Sequence, residues 1–127
     1  MAKHNITGKE GEEIASAYLK AKGYQIIEMN KRFGRAEIDI IAKIGNEYVF
    51  VEVKTRTSDY FGFPEEAIDK RKIKLLGKAA EQFTLEKNDD LEIRFDMISL
   101  VLGNEKHDIV HIEDAFFPGM EDFKNGL

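Results

Sequence analysis

Cysteine and tryptophan are absent from the 127-residue chain, and proline occurs only twice. Without cysteine there is no disulfide scaffold, no thiolate zinc site and no cysteine nucleophile. Scarce proline, together with 43% hydrophobic and 34% charged residues, excludes collagen-like, disordered and low-complexity classes. Apolar runs of membrane-spanning length are missing too, as is an apolar block of the kind that opens a secretion signal. A cytoplasmic protein that does not engage a membrane is the expectation. No Pro/Gly/Ser-rich stretch divides the chain and no repeat is visible, so residues 1–127 read as a single domain. A chain of this size buries roughly two-thirds of its unfolded surface and folds without staples.

Positive charge is also in short supply: the net charge is −5. Its distribution matters more than its sum. Residues 1–78 hold 15 Lys/Arg against 12 Asp/Glu, whereas residues 79–127 hold 4 against 12. One basic region on an acidic remainder is still compatible with a phosphate-bearing partner.

Local signals give seven elements. Thr7 and Glu10 form a capping box, from which a helix runs to Gly23. Its apolar stripe holds Ile14, Ala15, Tyr18 and Leu19, while Glu13, Ser16 and Lys20 fall on the wet side. Tyr24 to Met29 reads as a strand and 30–34 as a loop. Two more strands, Arg35–Ile44 and Glu47–Arg56, meet at Gly45-Asn46, which suits a two-residue turn of the primed type. Pro64 opens a second helix that ends near Glu86–Asn88, and Leu91–Leu102 and His107–Ile112 are the last strands. The order αβββαββ describes an α/β fold, a mixed β-sheet flanked by helices.

If Gly45 and Asn46 are the turn, Asp39 falls opposite Glu52 and Glu37 opposite Lys54. Strand alternation then sends all four to one side, leaving Ile38, Ile40, Val49, Val51 and Val53 for the core. Opposed residues have Cβ atoms about 5 Å apart, a spacing at which two carboxylates repel unless something compensates them. A hard divalent cation would do so. Mg²⁺ takes oxygen ligands, commonly one or two carboxylates with waters and a phosphate oxygen. Asp39, Glu52 and the carbonyl of Val53 could form such a half-site for Mg²⁺ or Mn²⁺, with Lys54 placed to steer a water or stabilise a phosphorane. In the first helix Glu12 borders the apolar stripe and is better placed than Glu13 to reach this point. In the second, Lys72 shares a face with Ile68, Leu76 and Ala79, where a lysine snorkels or meets an anion. Lys70, Arg71, Lys74 and Lys78 surround it with further positive charge. Arg32, Arg35 and Arg56 are further candidates for phosphate contact. His107 and His111 read as surface residues.

The strings Ala36-Glu37-Ile38-Asp39-Ile40-Ile41-Ala42 and Val49-Phe50-Val51-Glu52-Val53-Lys54-Thr55-Arg56 resemble the YraN-like family of bacterial predicted endonucleases. That family belongs to the PD-(D/E)xK, restriction-endonuclease-like superfamily and is similar to archaeal Holliday junction resolvases. The likeness extends to Gly11-Glu12 with Ala15 and Leu19, to Gly23 and Asn30, to Phe61-Gly62, and to Lys72 with Leu76 and Ala80. It continues through Arg94-Phe95-Asp96 and Asp114-Ala115-Phe116. One position departs from it: Ala36 stands where the family commonly has Gly. The resemblance implies that Asp39 and Glu52 bind metal, that Lys54 serves the attacking water, that Glu12 assists the metal site and that Lys72 lies near the scissile phosphate.

The expected function is metal-dependent endonuclease action on DNA, including branched or junction DNA. A junction-cutting enzyme would need two sites related by a two-fold axis, hence a homodimer. The alternative is a non-catalytic nucleic-acid-binding module that retains the nuclease fold. A third reading is an adaptor docking through the aromatic and acidic residues of 113–127.

Overall fold

The computed structural model describes residues 8–57, 70–102 and 107–118. Along the chain lie α1 (Gly8–Ala21), β1 (Gln25–Phe33), β2 (Ala36–Ile44), β3 (Glu47–Thr57), α2 (Lys70–Lys87), β4 (Glu92–Leu102) and β5 (His107–Ile112). This is the αβββαββ order the sequence predicts. The expected helix starts at Thr7 and Pro64, and the side chains of Phe61, Met120 and Phe123, lie outside the described residues.

The strands form one open sheet in the order β1-β2-β3-β4-β5. Every neighbouring pair is antiparallel except β3 and β4, which run parallel and in register from Glu47↔Glu92 to Thr57↔Leu102. Parallel neighbours need a crossover, and α2 lies within it. Each face of the sheet carries one helix. Leu76, Ala79, Ala80 and Phe83 of α2 pack on Tyr48, Phe50, Phe95 and Met97. Ala15 and Leu19 of α1 pack on Val49, Val51, Ile98 and Leu100. Phe83 anchors its side edge-on against Tyr48 and Phe50, with ring centroids 4.9 and 5.4 Å away, a geometry that aromatic quadrupoles favour. No described helix is long and apolar enough to cross a membrane.

The α1 stripe is wider than its periodicity suggests. Ser16, placed on the wet side by sequence, is buried with Gly11, Ala15 and Leu19. The helix ends where Tyr24 N–H donates to Leu19 O and Gly23 N–H to Lys20 O, both at 3.0 Å, the paired bonds of a Schellman motif. Gly11 sets how close α1 can come to the sheet. A Cβ there would lie 2.7 Å from Thr55 Oγ1 and 3.3 Å from Leu100 Cδ1.

The hairpin turn behaves as its residues dictate. Gly45 has φ +56° whereas Asn46 has no positive φ, the pattern of a type II′ turn. Ile44 pairs with Glu47, and the pairing holds as far as Ile40↔Val51. There the β2–β3 ladder stops, and two expectations fail with it. Ile38 joins the α2-side core while Ile40 joins the α1-side core, although they are two residues apart. The alternation therefore slips at Asp39, and the four residues Glu37, Asp39, Glu52 and Lys54 do not share a simple wet face: Glu52 is buried while Glu37 is exposed. Strand β1 is also longer than predicted. Residues 30–33 continue it, since Lys31, Arg32 and Phe33 pair with Ile38, Glu37 and Ala36, and Phe33 is buried against Phe83.

Because Leu100 is fully buried and cannot move aside, Gly11→Ala must push α1 outward. Overpacking of this kind costs about 1–3 kcal/mol. Urea denaturation of the variant should show a lower midpoint with an unchanged slope.

Candidate active site

The site forms where the β2–β3 ladder ends. Beyond Ile40↔Val51 the next residues are Asp39 and Glu52. Instead of the strands continuing to pair, Asp39 Oδ2 accepts a hydrogen bond from Val53 N–H at 2.9 Å. Val53, expected as a carbonyl donor to metal, thus has a second part, holding Asp39 by its amide.

Glu52 follows Phe50 onto the α2 face and is only 3% exposed. Its Oε2 lies 2.7 Å from Lys72 Nζ on α2 and 3.3 Å from Lys54 Nζ on its own strand. Its Oε1 is buried and has no hydrogen-bond partner among the described residues. A buried anionic oxygen left unpaired costs free energy unless something electropositive reaches it. The acidity of Asp39 shows the same crowding. Burial, then the charge of Glu52, push its pKa from 3.8 up to about 7, against the pull of the Val53 hydrogen bond. Glu12 adds to the rise and Lys72 opposes it. Lys72 feels the converse: burial lowers its pKa, but the hydrogen bond and charge of Glu52, with Asp39 and Glu37, raise it overall.

Four of the five expected catalytic side chains, Asp39, Glu52, Lys54 and Lys72, therefore meet, from β2, β3 and α2. The fifth, Glu12, is near enough to act on Asp39 electrostatically, but its contact is with Asn30, whose Nδ2 donates to Glu12 Oε1 at 2.7 Å. The expected loop at Asn30 is not there. The residue sits inside β1 with φ +53°, a conformation asparagine tolerates better than most residues, and the kink presents its amide to α1. Among the described residues no three His, Cys, Asp or Glu side chains gather into a ready-made cage.

Glu37 is corrected. It lies opposite Arg32 of β1 rather than Lys54, because the β2–β3 pairing has already ended. Arg32, Arg35 and Glu37 line a cleft of about 340 Å³ together with Asp39, Lys72 and Leu75. Arg56 sits two residues beyond Lys54 on the same strand, opposite Val101. Lys70 and Arg71 are exposed at the start of α2. Lys74 and Lys78 line a different groove, with Ile93, Phe95 and Pro118, so that part of the lysine run is not brought to Asp39.

A second polar cluster lies under α1. Asp96 is fully buried, held by Arg94 at 2.9 and 2.8 Å, by His111 Nε2 at 2.8 Å and by Asp114 N–H at 3.1 Å. Arg94 also donates to the Tyr24 hydroxyl at 2.6 Å, and His111 Nδ1 lies 3.2 Å from the Tyr18 hydroxyl. Despite burial, which raises it, the pKa of Asp96 is net lowered by the His111 and Arg94 hydrogen bonds and the Arg94 charge. His111, expected at the surface, is thus buried at its side chain; it closes β5 onto β4.

The chain matches the family described as Uncharacterised protein family UPF0102 over residues 11–100. It belongs to that family. This is the YraN family that its motifs resemble. The UPF0102 protein of Christiangramia forsetii is 45% identical over 117 residues, covering 92% of this chain and 98% of that one. UPF0102 protein FP2501 of Flavobacterium psychrophilum is 47% identical over 117 residues with the same coverage. The UPF0102 protein of Alkaliphilus oremlandii is 44% identical over 112 residues, 86% of this chain and 96% of its own. Among solved structures, Pyrococcus furiosus SfsA in complex with Ca²⁺ aligns at 18% identity and TM-score 0.36, covering 84% of this chain and 62% of that one.

The acidity of Asp39 sets a pH dependence. Between about pH 4 and 7 the native carboxyl retains a proton that the unfolded chain releases, so metal-free stability falls as pH rises. The slope approaches at most about 1.4 kcal/mol per unit. Asp96, with a depressed pKa, acts in the opposite sense, and its contribution is lost only as pH falls below the ordinary carboxylate range. Urea titrations in EDTA at pH 5 and pH 8 should show wild type weaker at the higher pH, and Asp39→Asn nearly level.

Proposed function

We propose that this UPF0102 protein is a divalent-metal-dependent endonuclease that hydrolyses phosphodiester bonds in DNA, branched or junction DNA included. The single observation that carries this reading is the acidic pair Asp39–Glu52 joined to Lys54 and Lys72 at the end of the hairpin ladder.

The residues fit a hard cation. Glu52 offers a buried oxygen that no described residue partners, and Asp39 resists ionisation beside it. Both conditions are relieved by a positive charge bound between them. Asp39, Glu52 and the Val53 carbonyl would hold Mg²⁺ or Mn²⁺, an incomplete set of the kind Mg²⁺ uses when waters and substrate oxygens complete it. The ion would supply charge neutralisation and an acidified water. The protein's own share is positional. Glu52 anchors both lysines by one oxygen, which keeps two ammonium groups beside the acidic pair. Lys54, on the same strand face as Glu52, orients the attacking water. Lys72, from α2, meets the phosphate as negative charge builds on it. Glu12, steadied by Asn30, tunes Asp39 from the α1 side.

Purified protein should nick or cut DNA within a panel of linear, single-stranded, flapped and four-way substrates when Mg²⁺ or Mn²⁺ is added. Asp39→Asn and Lys54→Ala should each lower the rate about a hundredfold or more. Absence of cleavage across the panel with both metals, while DNA binding persists unchanged in Asp39→Asn, would replace the enzyme with a binding module.

Metal binding itself is measurable without catalysis. Mn²⁺ at about a hundred times its dissociation constant should stabilise the fold by about 2.7 kcal/mol. A thermal melt should therefore rise with Mn²⁺ in wild type and not in Asp39→Asn.

A further inference from the structure

The cleft beside Asp39 has a chemistry that the acidic pair does not use. Arg32 and Arg35, from the end of β1 and the β1–β2 turn, line it together with Leu75 and Leu76 of α2, which supply an apolar wall. Both arginines are exposed, and neither has an ion pair among the described residues. Glu37 adds an acceptor within the same lining. Its volume of about 340 Å³ falls at the small end of the roughly 300–1,000 Å³ range of sites that enclose one small organic molecule.

We propose that this cleft is a subsite for one unstacked nucleotide of a nucleic-acid strand, adjoining the phosphate that Asp39 and Glu52 address. The inference rests on the endonuclease reading for its direction and deepens it by naming the substrate class. A guanidinium recognises phosphate oxygens in a planar fork, so two of them suit the nucleotide's own phosphate. The leucine wall accepts the face of a base, and the Glu37 carboxylate accepts a hydrogen bond from an exocyclic amino group, as carboxylates do from cytosine N4. A base held in a duplex stack cannot enter a recess of this size. Extracting it costs a few kcal/mol, and least when it is already unpaired. Flaps, single strands and the arms around a branch point are favoured over continuous duplex for that reason.

The binding step can be read apart from cleavage. Metal-free protein, its backbone amides followed by NMR, is titrated with deoxycytidine 5′-monophosphate and, separately, with inorganic phosphate. The nucleotide should shift the amides of Arg35, Ala36 and Leu75, and a short single-stranded oligonucleotide should compete for the same signals. Arg32→Ala with Arg35→Ala should weaken both ligands by about tenfold or more. Leu75→Trp, which fills the cleft without removing charge, should block the nucleotide and leave phosphate binding intact. Shifts centred elsewhere, or nucleotide binding indifferent to both the arginine pair and a folded Leu75→Trp protein, would overturn the subsite. Competition by the mononucleotide alone, with no effect of the oligonucleotide, would also overturn it in favour of a free-nucleotide pocket. In the cleavage assay, DNA with an unpaired nucleotide next to the cut should exceed continuous duplex, and Leu75→Trp should erase that preference. Failure of all cleavage with intact nucleotide binding would sink the endonuclease reading and not the subsite.

Discussion

A carboxylate held beside another carboxylate away from water opposes folding, and this sheet accepts that opposition at Asp39 and Glu52. The rest of the architecture can be understood as what keeps them there. The two-residue turn at Gly45-Asn46 sets the register, and the ladder carries it as far as Ile40↔Val51. Beyond that point Asp39 bonds the Val53 amide and Glu52 turns toward α2. Lys72 can reach Glu52 because α2 lies over the sheet, nearest to β2, and α2 stands in the crossover that the parallel pairing of β3 and β4 demands. The topology and the site are therefore one arrangement, in which hairpin and crossover each supply half of the charge balance.

The two faces of the sheet divide the work. Under α1, Asp96 is satisfied four times over, by Arg94 twice, His111 and the Asp114 amide. Buried polar groups that are fully bonded rigidify and specify a core. Under α2, one Glu52 oxygen has no partner among the described residues and the Asp39 proton is held tightly. Perturbed acids gather where chemistry is done, and the contrast between a saturated acid and an unsaturated one, on opposite faces of one sheet, marks the second as the candidate site.

Much of this was legible in the sequence, and the failures have physical causes. Gly45 next to Asn46 encodes a turn, so the Ile44↔Glu47 pairing and all pairs to Ile40↔Val51 follow from counting. Lys72 could be expected to meet an anion because helical spacing ties it to Leu76, which packs inward, and the anion is Glu52. A period of two, however, contains no sign of where a ladder ends. The slip that sends Ile38 and Ile40 to different cores falls at Asp39, whose side chain takes the Val53 amide, and past the end of the β2–β3 ladder Glu37 is paired with Arg32 of β1. Asn30 looked like a turn residue because left-handed φ and turns share the same amino acids; here the left-handed residue is a kink within a strand. His111 read as exposed because a buried histidine depends on Asp96 and Tyr18, residues 15 and 93 positions away, which no local pattern connects.

The bond from Val53 to Asp39 has one more consequence. Across most of the sheet an amide proton is sheltered by a neighbouring carbonyl, whose accepting power is constant. At Val53 the shelter is a titratable group, so its strength varies with the state of that group. Deuterium uptake at this single backbone position thus becomes an internal gauge of whether the acid beside it carries its charge, legible without any substrate and without altering a residue.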